Sequence, residues 1–273
     1  MGKGFMKEIY NYIFIVLVYR NTDDLLEFIE SANRLVPNFK IVVVNSYYDE
    51  TTRKIVQSIA ERNNCDFINV ENKGYSFGNN VGIEYAAQKY TYKYLIVSNP
   101  DIVIKKFDFN PDKNNGDIIA PYIVAASGKQ QNPMMVRRIK MSEWLIYHGF
   151  KDSSKIFLAA GIAINKISRE FALRINRNCG EYQIYCAHGS FLLLSSKAIQ
   201  KLGVHPYDEN MFLFAEESVL ARQAEKNHLK TVYSNQIQVF HKEDGSMKLG
   251  GIVVNKELAK ANIYYYEHYV KEN

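Results

Sequence analysis

Over the first hundred residues, short runs of apolar and β-branched residues alternate with longer stretches in which apolar residues recur every three or four positions. The short runs predict strands at Tyr12–Val18, Lys40–Val44, Phe67–Val70 and Tyr94–Ser98. The longer stretches predict helices near Asp23–Leu35, Thr51–Asn63 and Asn79–Tyr90, with Thr22 and Asp49 as N-terminal caps. Strands alternating with helices build a parallel sheet covered by helices, and in such sheets ligands sit at the carboxyl ends of the strands.

The second half is less regular. Strands are predicted near Asp117–Tyr122, His188–Leu194, Thr231–Tyr233 and Ile237–Phe240, with a helix near Glu216–Asn227, enough to complete the same domain as a mixed sheet. Residues 124–180 lack period-two alternation and read as an irregular-to-helical insertion over the site. This stretch holds Arg137, Arg138, the single tryptophan Trp144 and the apolar run Ile156–Ile164. Asn255–Val270 reads as a tyrosine-rich amphipathic helix, a surface for packing, for a second copy in a homodimer, or for peripheral membrane contact.

Composition narrows the class. A chain of 273 residues with 47% hydrophobic content buries a large core, so one main domain is expected. The net charge of +5 comes from 34 basic and 29 acidic residues without a basic cluster, which argues against nucleic acid as a partner. Cys65, Cys179 and Cys186 have neither disulfide-framework nor zinc spacing, pointing to a reducing, cytoplasmic setting. The apolar run at Ile13–Val18 reads as a strand and not as a signal sequence, and no run approaches the ~20 apolar residues of a membrane span.

Two segments carry chemistry on their own terms. ENKGYSFGNNVG (Glu71–Gly82) gathers glycines and asparagines just before a helix, supplying flexible backbone and amide donors for a diphosphate. YLIVSNPD (Tyr94–Asp101) is an apolar strand ending in an acid, and a carboxylate there can hold Mg²⁺ or Mn²⁺ on substrate phosphates. Each also has an ordinary reading, as a strand-to-helix turn or a turn after a strand.

Taken in order, these and three further segments resemble the family-2 glycosyltransferases, nearest to the bacterial rhamnosyltransferase-like subgroup. They are VYRN (Val18–Asn21), VVVNSYYDET (Val42–Thr51) and the block from His188 to Glu217, and HKEDGS (His241–Ser246) follows. The resemblance implies a GT-A type α/β fold: a nucleotide-binding, mostly parallel sheet flanked by helices, continued as a mixed sheet with a C-terminal helix. It implies donor contacts from Tyr19, Asn21, Asn45, Asn72, Gly74, Asn79, Asn99 and Asp101. Val44 stands where the family has an acid, and Asp49 doubles as a helix cap. Asp101, with His241, is the implied site for Mn²⁺ or Mg²⁺. Glu217 is the implied catalytic base with Glu216 beside it, although the pair also reads as ordinary N-terminal helix charges.

The expectation is one domain, with a nucleotide-binding half over 1–101 and an acceptor half over 102–248 that includes the 124–180 insertion. A C-terminal helix follows over 249–273. The implied reaction is inverting transfer of a sugar from a nucleotide diphosphate, dTDP-rhamnose or a UDP-hexose, to a hydroxyl of a glycan or lipid-linked acceptor in surface polysaccharide synthesis. The place expected for it is the cytoplasm or the inner face of the membrane. Two rivals are a sugar nucleotidyltransferase, which would carry a basic glycine-rich loop after the first strand where VYRNTDD has none, and a donor-binding partner without activity.

Overall fold

The computed structural model describes residues 7–114, 116–243 and 254–271. The first half follows the predicted alternation: β1 (Glu8–Val18), α1 (Asp23–Leu35), β2 (Phe39–Ser46), α2 (Glu50–Arg62), β3 (Asp66–Val70), α3 (Tyr75–Lys89) and β4 (Tyr90–Ser98). Asp49 caps α2, its carboxylate accepting the Thr52 N–H at 2.7 Å. Thr22 occupies the corresponding position before α1 but its side chain makes no capping bond, so this expected cap is corrected.

The second half contains β5 (Ile102–Phe107), β6 (Ile118–Ala125), α4 (Lys140–Lys151), α5 (Lys155–Ile175), β7 (Glu181–Ile184), β8 (Phe191–Ser195), α6 (Ser196–Leu202), α7 (Glu216–Lys226), β9 (Thr231–His241) and α8 (Val254–Tyr265), which continues as a π turn over Tyr266–Val270. The insertion is thus a helical hairpin. Expected strands at Thr231–Tyr233 and Ile237–Phe240 are a single strand, β9, whose register against β6 shifts between Pro121 and Tyr122.

The sheet runs β3-β2-β1-β4-β8-β6-β9-β5, with β7 pairing with part of β9. β3, β2, β1 and β4 are mutually parallel, and β8 enters antiparallel to β4. Because β1 connects outward to β2 while β4 lies on its other side, a crevice opens beyond the carboxyl ends of β1 and β4.

Both faces of the sheet are covered, which is why its strands read as unbroken apolar runs. On one face Phe14, Phe28 and Phe191 meet beneath α1, with Phe14 edge-on to Phe28 at 5.5 Å. On the other, Ile15, Val44 and Ile83 pack under α3, and Leu220 brings in α7. Glycines allow α3 to lie this close: a Cβ on Gly78 would meet Leu17 at 2.4 Å, and one on Gly82 would meet Ile15 at 2.4 Å. These two glycines therefore serve helix-to-strand packing, and α3 begins four residues before the predicted position.

The tyrosines of α8 and its π turn face the protein. Tyr265 is buried and donates to Glu143 at 2.8 Å, Tyr266 stacks on Tyr147 at 4.2 Å, and the Tyr264 and Tyr269 hydroxyls both reach Asp208.

Candidate active site

A cleft of about 420 Å³ occupies the crevice at the carboxyl ends of β1 and β4. Nine of the eleven predicted site residues line it. Tyr19 and Asn21 come from the segment after β1, Asn72 and Gly74 from the turn into α3, and Asn99 and Asp101 from the turn after β4. Glu216, Glu217 and His241 line the same cleft. Asn45 and Asn79 do not line the cleft. Successive side chains on a strand point to opposite faces, so Ser46 reaches the cleft while Asn45 donates to Asn69 at 2.7 Å inside the sheet. Asn79 donates back to the Tyr75 carbonyl at 3.0 Å, one turn earlier in α3.

Gly74 enters the cleft with a φ of +102°, and a Cβ there would fall 2.3 Å from the Phe212 carbonyl oxygen. Only glycine accommodates that backbone and that contact. The Tyr75 N–H donates to the same carbonyl at 2.9 Å, tying the turn before α3 to the Phe212–Phe214 segment that lines the cleft beside it.

Asp101 and His241 are both buried and meet at one point. Ile102 of β5 pairs with His241 of β9, and the Lys242 N–H donates to the Asp101 carbonyl at 3.0 Å. This brings His241 Nε2 to 3.3 Å from Asp101 Oδ2. Gln131 fixes the ring: its Nε2 donates to the Glu243 carboxylate at 3.1 Å, which leaves its Oε1 to accept from His241 Nδ1 at 2.8 Å. With Nδ1 carrying a proton, the Nε2 lone pair of a neutral ring faces the carboxylate, an arrangement that calls for a shared cation or a second proton. The donor set therefore fits a divalent ion that takes its remaining ligands from substrate oxygens and water. Among the described residues no group of three His, Cys, Asp or Glu side chains forms a closed metal site. Asp244, Gly245 and Ser246 of the HKEDGS motif lie outside the described residues.

The acidic pair starts α7 after two strained residues, Phe214 and Ala215, with φ of +75° and +62°. Non-glycine residues in the left-handed region cost on the order of 1 kcal/mol or more each, and here they precede two glutamates that both line the cleft. Glu217 Oε1 accepts the Gly189 N–H at 3.2 Å, and a Cβ on Gly189 would lie 2.9 Å from that oxygen. Glu216 is buried, and its Oε1 has no hydrogen-bond partner among the described residues. Burial, and then the neighbouring Glu217 charge, push its pKa up to about 8.

Several supports of this arrangement escape sequence reasoning. The Tyr75 hydroxyl donates to the Gly189 carbonyl at 2.9 Å. Asn132, wholly buried, donates to the Pro121 carbonyl at 2.9 Å and accepts the His188 N–H at 2.8 Å. His188 lines the cleft with its Nδ1 accepting the Ser190 N–H at 3.2 Å, and burial lowers its pKa. The signal for the last was present: the polar triplet His188-Gly189-Ser190 stands just before the apolar run of β8. Gln131 and Asn132 carried no signal, because they sit in a stretch without period. Arg138 points elsewhere, pairing with Glu143 at 2.9 Å.

Residues 13–111 match the Glycosyl transferase family 2 model. The match ends ten residues past Asp101, so it contains the cleft residues after β1, before α3 and after β4, and not the Glu216–Glu217 pair. A curated relative, the low-salt glycan biosynthesis hexosyltransferase Agl10 of Haloferax volcanii, is 24% identical over 177 residues, covering 63% of this chain and 50% of the relative. The chain thus spans about half the length of that relative. Among solved structures, GalNAc-T7 with UDP, GalNAc and Mn²⁺ has a TM-score of 0.58 at 11% identity, over 95% of this chain and 50% of that one. Mannosyltransferase PcManGT from Pyrobaculum calidifontis, in complex with GDP-Man and Mn²⁺, has a TM-score of 0.51 at 12% identity, over 97% and 73%. TarS of S. aureus in complex with UDP-GlcNAc has a TM-score of 0.50 at 12% identity, over 89% and 62%. These likenesses establish the fold as GT-A, with the segment that matches the family-2 model continued as a mixed sheet.

Proposed function

We propose that this chain is an inverting glycosyltransferase that moves a sugar from a nucleotide diphosphate donor to an acceptor hydroxyl. The observation that carries the reading is the convergence, on one cleft, of strand-end residues from the segment that matches the family-2 model and the Glu216–Glu217 pair. Tyr19, Asn21, Asn72 and Asn99 would bind the donor on one wall, and the acceptor would enter past Phe212–Phe214 on the other.

In the proposed reaction Glu217 takes the proton of the acceptor hydroxyl. The acceptor oxygen forms its bond to the anomeric carbon from the face opposite the leaving group, and the bond from that carbon to the diphosphate oxygen breaks with its electron pair on the diphosphate. Gly189 holds Glu217 by its N–H, and Tyr75 holds Gly189 in turn. A divalent ion, Mn²⁺ or Mg²⁺, held by Asp101 and His241, would supply charge neutralisation for the diphosphate when bound.

The donor is read as dTDP-rhamnose, on the resemblance to the rhamnosyltransferase-like subgroup, or as a UDP-hexose. The acceptor is read as a glycan or lipid-linked hydroxyl in surface polysaccharide synthesis. The hexosyltransferase name of the archaeal relative and the sugar nucleotides bound by the structural neighbours support the reaction class. The test is a thermal-shift screen of dTDP, UDP and GDP and their sugars with and without Mn²⁺, followed by hydrolysis of the best donor. Stabilisation by one nucleotide class, enhanced by Mn²⁺, and slow donor hydrolysis are expected; silence across the whole panel sinks the reading.

A further inference from the structure

Nine of the sixteen exposed large hydrophobic side chains among the described residues lie between Met134 and Ile175, in and beside the α4–α5 hairpin. The hairpin itself is tightly built. A Cβ on Gly149 would lie 2.7 Å from the Leu158 N, one on Gly161 would lie 2.7 Å from Ile146, and the Ser142 hydroxyl donates to the Gly161 carbonyl at 2.8 Å. α4 is anchored below by the π turn, through Tyr147 stacked on Tyr266. Yet along the 21 residues of α5 only Gly161 is buried.

The outer face of α5 has an order that random exposure would lack. Ile156, Ala163, Ile167 and Phe171 follow each other at spacings of seven, four and four, which places them on one stripe of the helix. Ile156 is 79% exposed, Ile167 69% and Phe171 63%. Lys155, Lys166 and Arg174 flank the stripe and Arg177 follows just past the end of α5, all exposed and none in an ion pair among the described residues, while the one acid of α5, Glu170, is paired with Arg169. An apolar stripe edged by unpaired cations matches an anionic lipid surface, with acyl chains for the stripe and headgroups for the cations. A second copy pairing through the same face would bring like charges together.

We propose that the outer face of α5, with Trp144 and Phe157 at its N-terminal end, docks the protein on an anionic lipid surface. The hairpin is fastened to the cleft wall: Arg169 donates from Nε to the Pro133 carbonyl at 2.7 Å and from its guanidinium to the Gln130 carbonyl, on either side of the segment containing Gln131. Docking therefore holds the cleft beside the bilayer, where a lipid-linked hydroxyl would be found. The surface stands on the hairpin alone and does not depend on the reading of the cleft.

Trp144, the single tryptophan, is 40% exposed and lies 5.8 Å from the Phe157 ring, so it reports directly on the patch. The experiment is flotation and tryptophan emission of the full chain with phosphatidylcholine vesicles, with and without phosphatidylglycerol. Flotation and a blue shift are expected with phosphatidylglycerol only, weakening with salt. The exposed pair Ile167→Glu with Phe171→Glu, and separately Lys166→Glu with Arg174→Glu, should each reduce vesicle affinity by roughly tenfold or more while leaving nucleotide stabilisation unchanged. The proposal is overturned by absence of flotation at low salt. It is equally overturned by sedimentation showing a dimer that Ile167→Glu with Phe171→Glu breaks, with no vesicle binding. Loss of nucleotide binding with vesicle binding intact would instead count against the cleft.

Discussion

His241 Nε2 faces Asp101 Oδ2 at 3.3 Å because β9 and β5 pair residue for residue at their ends, His241 opposite Ile102. Gln131 completes the relationship from the insertion, holding Nδ1 in its protonated form between β9 and Glu243. A ring fixed by a partner on its far nitrogen is a better ligand than a free one, and loss of such a partner typically costs 10–100-fold in metal affinity. Gln131→Leu should therefore weaken the Mn²⁺-dependent part of nucleotide binding by about that factor, and Asp101→Asn should remove it. Isothermal titration with UDP, GDP or dTDP, with and without Mn²⁺, measures this. Unchanged Mn²⁺ enhancement in Asp101→Asn would exclude Asp101 as a ligand.

The base assignment can be separated from donor binding. Glu217→Gln keeps the shape of the side chain and its acceptor oxygen toward Gly189, so donor affinity should hold while transfer falls about 10²–10⁴-fold. Gly189→Ala approaches the same carboxylate from the other side. Its new methyl group would stand 2.9 Å from Glu217 Oε1 and must push the side chain away. A KM for donor near wild type with kcat reduced in both variants is the expected pattern. Full transfer by Glu217→Gln would move the base elsewhere.

Much of the first half was legible because a sheet buried on both faces writes its strands as apolar runs, and the alternation with helices fixes the crevice. The place of Asp101 in the crevice was legible from one rule, that ligands sit at the carboxyl ends of the strands. The asparagine-rich loop is legible only in part: Asn72 and Gly74 line the cleft, but glycine is enriched both where backbone meets phosphate and where a helix lies close on a strand. Gly78 and Gly82 are the second case and Gly74 the turn. Asn45 failed by one residue of strand phase. β5 leaves no separate signal because Ile102–Phe107 follows β4 after only three residues, within the span of a single turn. Gln131 and Asn132 act through contacts 110 and 56 residues away, with His241 and His188, and no local pattern encodes such pairings.

Asn80 shows what the same loop does for stability. It is wholly buried, donates to the Tyr207 carbonyl and to Glu209, and accepts the Tyr207 N–H at 3.1 Å, joining α3 to the chain before the acidic pair. Replacement by alanine leaves the buried Tyr207 N–H and carbonyl unpaired, at a cost of about 2–4 kcal/mol. Lys54, 3.9 Å from Glu50 and largely exposed, is the contrast: Lys54→Ala should stay within about 0.5 kcal/mol. Urea denaturation of the two variants at one pH checks the difference, and comparable losses would contradict the bonding described for Asn80.

Glu216 should make the stability of the fold depend on pH in an unusual direction for a carboxyl. Its ordinary pKa is 4.5, and burial beside Glu217 raises it to about 8 in the folded protein. Between those values the folded state holds a proton that the unfolded chain has lost, so the contribution of Glu216 to stability declines as pH rises through this window and levels off above it. The full decline is on the order of a few kcal/mol. Glu216→Gln keeps the size of the side chain and cannot ionise. Its stability relative to wild type should therefore be lowest near pH 5 and increase steadily toward pH 8, read from urea midpoints at several pH values. A difference that stays constant across the window would mean that Glu216 ionises in the folded protein much as it does in the unfolded chain, and that its isolated oxygen finds a partner in solution.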